Sequence, residues 1–113
     1  MTQEIAEAFS GHRFAETYPH LAADIRWTNI GSEPEVGRDA VIAACEAALS
    51  EMSTMTTEFT KFRSIVGADS VVVDSLGRYT NPDGQVFVVA SCDIYDFVDG
   101  KLAEITSHVA EVS

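Results

Sequence analysis

Apolar positions recur every third or fourth residue in the first half of the chain and every second residue in most of the second half, periods that predict helices and strands respectively. Ile5, Ala8 and Phe9, then Phe14, Tyr18 and Leu21, have helical spacing, punctuated by Gly11 and Pro19, and predict two short N-terminal helices. From Asp24 to Ile30 the pattern alternates, with Ile25, Trp27 and Asn29 on one side, and the cluster Gly31-Ser32-Glu33-Pro34 ends this first strand as a loop. Val41, Ile42, Cys45, Leu49 and Met52 form one stripe of a helix from Arg38 to Met52, which Gly37 or Asp39 can open and five alanines favour intrinsically. Beyond Ser53, strands are expected near 55–66, 69–80, 85–97 and 101–112, separated by Gly67-Ala68-Asp69, Asn81-Pro82-Asp83-Gly84 and Val98-Asp99-Gly100. Helices, one strand, one helix and a four-strand meander make an α+β domain, with helices gathered on one side of a curved sheet.

Reading each Gly-closed turn as a three-residue loop pairs Asn81 with Gln85 and Phe97 with Lys101. Tyr79 then faces Phe87, Gly77 faces Val89, Ser75 faces Ser91 and Val73 faces Asp93. In the second hairpin Tyr95 is set opposite Ala103, Asp93 opposite Ile105 and Ser91 opposite Ser107. One face thus mixes Val, Ile, Phe and Tyr with a few hydroxyls around a single acid, the make-up of a small-molecule cavity wall. Ser75, Tyr79, Val89, Ser91, Tyr95, Ile105, Ser107 and Val109 are the candidate lining residues from the sheet, with Trp27 from the first strand and Phe14, Tyr18 and Cys45 from the helices. Asp93 is the candidate catalytic residue, because a carboxyl set into apolar surroundings can exchange a proton or a hydrogen bond with a ligand. The alternative is a structural acid that accepts bonds from Tyr79, Ser91, Trp27 or the backbone.

Composition narrows the function classes. The 113 residues suit one domain spanning 1–113 with one core. Eighteen acidic against seven basic residues give a net charge of −11, which repels phosphate backbones and anionic membranes and argues against both as partners. No apolar run of membrane-spanning length and no signal-peptide pattern is evident, so the expected location is the cytoplasm. Cys45 and Cys92 lack C-x-x-C spacing and read as reduced, buried thiols, while the scattered His12, His20 and His108 make no metal-ligand pattern. No metal is therefore expected, and no other cofactor is called for. Arg26 points outward from the first strand as an ion-pair partner, and His108 falls on the face opposite Asp93.

Several stretches together resemble the nuclear-transport-factor-2-like (NTF2-like) superfamily and its SnoaL-like, ketosteroid-isomerase-like branch. They are Ala22-Ala23-Asp24-Ile25-Arg26-Trp27, Gly31-Ser32-Glu33-Pro34 with Val36-Gly37-Arg38-Asp39-Ala40-Val41, and Asp93-Ile94-Tyr95-Asp96-Phe97 followed by Asp99-Gly100-Lys101-Leu102. The resemblance implies a cystatin-like half-barrel, or cone, with a cavity between helices and sheet, and homodimers that associate through the outer sheet face. It implies a small hydrophobic ligand and, where there is chemistry, cofactor-independent isomerisation, cyclisation or dehydration with Asp93 as acid or base. Non-catalytic ligand-binding and dimerisation modules share the fold. In ketosteroid isomerases the matching aspartate donates a hydrogen bond to the substrate oxyanion, but at the position of their carboxylate base this chain has Thr28, and residues 4–9 hold no tyrosine. The Arg-x-Asp pair of limonene-epoxide-hydrolase-like members reads Ser91-Cys92-Asp93 here.

Overall fold

The computed structural model describes Met1–Ser113. Helix α1 (Thr2–Ser10) leads through a 3₁₀ segment (Phe14–His20) to β1 (Leu21–Asn29), the short β2 (Glu35–Val36) and helix α2 (Arg38–Met52). The meander follows as β3 (Thr56–Val66), β4 (Ser70–Thr80), β5 (Val86–Val98) and β6 (Lys101–Glu111). All six strands form one sheet in the order β2-β1-β6-β5-β4-β3, with β1 parallel to β6 and every other pair antiparallel. The arrangement is α+β, and no helix is long and apolar enough to cross a membrane.

Local chemistry explains most of these elements. The stripe on α2 turns Val41 and Cys45 fully inward, with Ile42, Leu49 and Met52 packed beside them. Gly37 opens the helix with φ +94°, a left-handed conformation that favours glycine, and its N–H donates to the Ile25 carbonyl at 2.7 Å, tying α2 to β1. The second N-terminal helix is a 3₁₀ segment with Pro19 inside it. At three residues per turn Thr17, not Tyr18, stacks beneath Phe14, and Phe14 and Thr17 are its buried residues. Strand β1 begins at Leu21, earlier than the alternation suggests, and β2 is an unanticipated two-residue strand paired with Arg26 and Trp27.

The two hairpins differ instructively. Asn81 and Gln85 flank a three-residue loop in which Gly84 has φ +89°, and β4 and β5 pair as the sequence suggests from Thr80–Val86 down to Val73–Asp93. Between β5 and β6 the turn has only two residues, Asp99 at φ 52° and Gly100 at φ 78°, and Val98 pairs with Lys101. Positive φ at both central positions matches the strands' right-handed twist. That shorter loop alone would turn Ile105 and Ser107 outward. A bulge compensates: Phe97 pairs with Leu102 but Asp96 with Glu104, leaving Ala103 as the extra residue. Tyr95 therefore pairs with Ile105, Asp93 with Ser107 and Ser91 with Val109, two residues away from the expected register but on the expected face.

The core lies where the helices meet the inner face of the sheet. Ile5, Phe9, Phe14, Leu21, Ile25, Val41, Val71, Val73, Tyr95, Phe97, Leu102 and Ile105 belong to one buried cluster. Full burial of a side chain of the Leu or Ile type contributes about 1.5–3 kcal/mol.

Candidate functional site

Cross-strand pairing stacks the inner face in rows. The deepest, Val71–Tyr95–Ile105, is fully buried. Next come Val73–Asp93–Ser107, Ser75–Ser91–Val109, and Gly77 with Val89, then Tyr79 with Phe87 near the β4–β5 turn. A cavity of ≈ 210 Å³ opens above the deepest row, lined by Ser75, Gly77, Tyr79, Val89, Ser91, Asp93, Ser107 and Val109 from the meander. Phe9, Ser10, His12, Phe14, Trp27, Asn29, Ala48, Met52 and Phe59 complete its wall.

Asp93 is 8% exposed and belongs to a chain of hydroxyls. Ser10 Oγ donates to Asp93 Oδ2 at 2.8 Å, and Ser91 Oγ donates to Oδ1 at 3.2 Å. Since the single Ser10 proton is spent on Asp93, the 2.6 Å contact between Ser10 Oγ and Tyr95 Oη is a bond donated by the tyrosine. Burial, reinforced by the Asp93 charge, pushes the Tyr95 phenol well above its ordinary range, so it keeps that proton. A carboxylate has about four acceptor positions. Two serine bonds leave capacity on Asp93 for a ligand.

A second polar group hangs over the cavity. His12 follows the end of α1 with φ 66°, a left-handed backbone that histidine tolerates better than most residues, and packs its ring near Phe14, Phe59 and Tyr79. His12 Nε2 lies 2.9 Å from Tyr79 Oη, while Nδ1 is buried without a partner. An unpaired buried N–H is harder to accommodate than an unpaired acceptor, so the hydrogen belongs on Nε2, which donates to Tyr79. The Tyr79 proton is then free to donate toward a ligand. Burial pulls the His12 imidazole below its ordinary value, the Asp93 charge opposing the shift. Burial and the Asp93 charge likewise raise the Tyr79 phenol.

Gly77 is what lets Tyr79 lie this way. A Cβ at Gly77 would meet the Tyr79 ring at 2.8 Å, so only glycine allows the ring to fold back along its own strand. Across the cavity Trp27 Nε1 donates to Ser107 Oγ at 3.1 Å, joining β1 to β6. The Phe9 ring sits edge-on to Phe14 and Trp27 at centroid distances of 4.8 and 5.0 Å.

Of the residues singled out from the sequence, Asp93, Phe14, Trp27, Ser75, Tyr79, Val89, Ser91, Ser107 and Val109 converge on this cavity. Tyr18, Cys45, Tyr95 and Ile105 do not. Tyr95 and Ile105 are on the right face but one row too deep, beneath the floor. Cys45 faces the sheet but is fully enclosed, its thiol pushed up to about 12 by burial and then by Glu46, and α2 reaches the cavity only through Ala48 and Met52. The 3₁₀ phase rotates Tyr18 away, and its hydroxyl donates to Glu46 at 2.7 Å. Arg26 makes no ion pair, whereas His108 is exposed on the outer face beside Cys92. Both thiols are free.

Ser10, His12, Phe59 and Met52 were not anticipated at the site. Gly77, a glycine in mid-strand just before an inward tyrosine, carried a readable sign of close approach. Nothing local marks Ser10 or His12, which reach Asp93 and Tyr79 across sequence separations of 83 and 67 residues. No three His, Cys, Asp or Glu side chains converge as a metal-ligand set.

A helix-covered mixed sheet enclosing a cavity of this kind defines the NTF2-like cone fold, and solved structures share it. An NTF2-like protein of unknown function from Cytophaga hutchinsonii superposes with TM-score 0.85 at 28% identity, covering 96% of each chain. A proposed polyketide cyclase from Xanthomonas campestris gives 0.74 at 17% identity over 95% of this chain and 85% of that one. A limonene-epoxide-hydrolase-like epoxide hydrolase from M. tuberculosis gives 0.65 at 13% identity over 91% and 74%. The SnoaL-like domain model matches residues 2–105, and the chain belongs to that family. No curated protein sequence matches it.

Proposed function

We propose that the cavity takes a compact carbonyl compound and that Asp93 and Tyr79 perform cofactor-free proton transfer on it. The observation that carries this reading is the pairing of a carboxylate that two serines leave partly unused, Asp93, with a phenol, Tyr79, on the wall of one largely apolar cavity; the tautomer assigned to His12 makes that phenol a donor. Tyr79 donates to the carbonyl oxygen, and Asp93 removes a hydrogen from the adjacent carbon. The C–H electron pair passes into the enolate, and returning the proton to another carbon gives an isomer. At ≈ 210 Å³ the space lies below the ~300–1,000 Å³ of drug-sized sites, which favours one- or two-ring ligands over polycyclic ones. Relatives described as a proposed polyketide cyclase and an epoxide hydrolase are in keeping with chemistry in this cavity.

The test needs no known substrate. Acetophenone and 1-indanone carry exchangeable hydrogens next to a carbonyl, and their loss in D₂O is read by proton NMR. The protein is expected to accelerate exchange, Asp93→Asn to slow it by roughly 10²–10⁴-fold, and Tyr79→Phe by about 10²-fold. Exchange that is unaffected by Asp93→Asn removes the catalytic role.

A non-catalytic ligand-binding module is the second reading, favoured by the way Asp93 ties α1 to β5 through Ser10. In that case Asp93→Asn lowers the melting temperature sharply and leaves ligand affinity unchanged. Homodimerisation belongs to either reading. On the outer face Val72, Leu76, Val88, Cys92 and Ile94 are only half-buried, an apolar stripe of the kind that packs against a second copy. Light scattering that returns a monomer at micromolar concentration refutes this.

A further inference from the structure

We infer that the cavity discriminates by charge: among ligands of one shape it selects against the anion and holds an organic ammonium, a protonated amine on a one-ring apolar body, more tightly than the neutral compound, so that such a cation competes with the carbonyl compound for Asp93. The inference rests on the cavity being a ligand site with Asp93 as its anchor, but not on proton transfer taking place there. Its basis is the distribution of charge. Asp93 is the only carboxylate on the cavity wall, and none of the seven Lys and Arg residues lines it. Arg13 is turned to Glu16, Lys61 and Arg63 to Asp74 on the outer face, and Arg38 and Lys101 to backbone carbonyls. The partners that reach Asp93 are neutral hydroxyls, from Ser10 and Ser91. The one histidine on the wall is His12, and burial holds its imidazole toward the neutral form. So the acid has donors but no counter-charge.

What surrounds it is suited to a cation. Phe9, Phe14, Trp27, Phe59 and Tyr79 contribute aromatic surface to the wall, and aromatic faces attract ammonium groups. Next to the cavity, a second depression that shares Met52, Tyr79 and Val89 with it carries Glu111 and no base. The net charge of −11 would draw cations in and keep carboxylates and phosphates away. A bound ammonium would use the acceptor capacity that the two serines leave on Asp93, and charge-assisted bonds of that kind are roughly twice as strong as neutral ones.

Trp27 is the chain's single tryptophan and stands on the cavity wall, so its fluorescence reports occupancy. Benzylamine, benzyl alcohol and benzoate have similar shapes and, at neutral pH, different charges. Titrated into the full chain, benzylamine is expected to bind at least about tenfold more tightly than benzyl alcohol, with benzoate the weakest. Asp93→Asn should bring the amine and the alcohol to within about twofold of each other. Should Asp93→Asn fail to fold, Val109→Lys is the substitute, because it adds a cation at a cavity-lining position that is 58% exposed and leaves the acid in place. It should abolish the preference for the amine. Equal binding of alcohol and amine overturns the inference and leaves the ligand site standing, as does benzoate binding at least as tightly as benzylamine. Binding of none of the three overturns both.

Discussion

The closed and open ends of the same sheet face carry almost the same kinds of residue and behave differently. In the deepest row Tyr95 is 0% exposed between Val71 and Ile105, and its one polar atom is bonded to Ser10. One row higher Asp93 shares that serine but also borders the cavity, and at the open end Tyr79 meets only His12. A hydroxyl at the closed end is a finished structural bond. At the open end the same group has valence to spare. Depth, more than residue type, separates scaffold from site.

Ile105→Ala should expose that difference most strongly. Removing a fully buried side chain from the closed end is expected to cost about 2–5 kcal/mol in denaturant unfolding, with little change in the affinity of ligands bound above it. A loss below 1 kcal/mol would mean the closed end is no core. Ser10→Ala acts on the boundary between the two regions. It strips a donor from Asp93 and an acceptor from Tyr95, for an expected loss of about 1–3 kcal/mol and a change in ligand affinity as well. An effect on stability alone would place Asp93 with the closed end.

Gly77→Ala works at the open end. The added methyl should push the Tyr79 ring off its strand and break its bond to His12, at a cost to stability of about 1 kcal/mol or less because the half-exposed ring can swing outward. Loss of ligand affinity with only that small loss of stability is the expected signature, read by paired binding and unfolding titrations. The smallest effect is in pH dependence. The folded protein takes up a proton on His12 only at lower pH than the unfolded chain does, because burial disfavours the imidazolium more than Asp93 favours it. The stability this contributes is fully present above the ordinary histidine value and is lost as pH falls through the folded value. His12→Asn, which suits the left-handed backbone, should therefore lose less stability than the parent chain on going from neutral to mildly acidic pH. An unchanged slope would mean that His12 is already open to water.

Face was legible in the chain and depth was not. Alternation assigned Asp93, Ser91, Ser107 and Tyr79 to one side because side chains on a strand have a period of two wherever the strand lies. How far the helices fill the cone depends on packing between segments remote in sequence, which is why Tyr95, Ile105 and Cys45 were expected at the wall and lie beneath it. The β5–β6 register shows how two local features can cancel. A turn one residue shorter than expected and a bulge at Ala103 together returned Ile105 and Ser107 to the inner face. Tyr18 was lost to helix type, since α and 3₁₀ phases diverge after one turn. Ser10 and His12 enter the site only because α1 ends over β4 and β5, a meeting with no local trace.

The most direct test of this division by depth is a ligand titration followed by carbon-detected NMR of the Asp93 carboxyl, the Trp27 ring and the Ile105 methyls. With benzyl alcohol as ligand, Asp93 and Trp27 should shift along one saturation curve while Ile105 stays still. An Asp93 signal that remains fixed as Trp27 saturates would place the acid with the scaffold and contradict its role as the cavity's anchor.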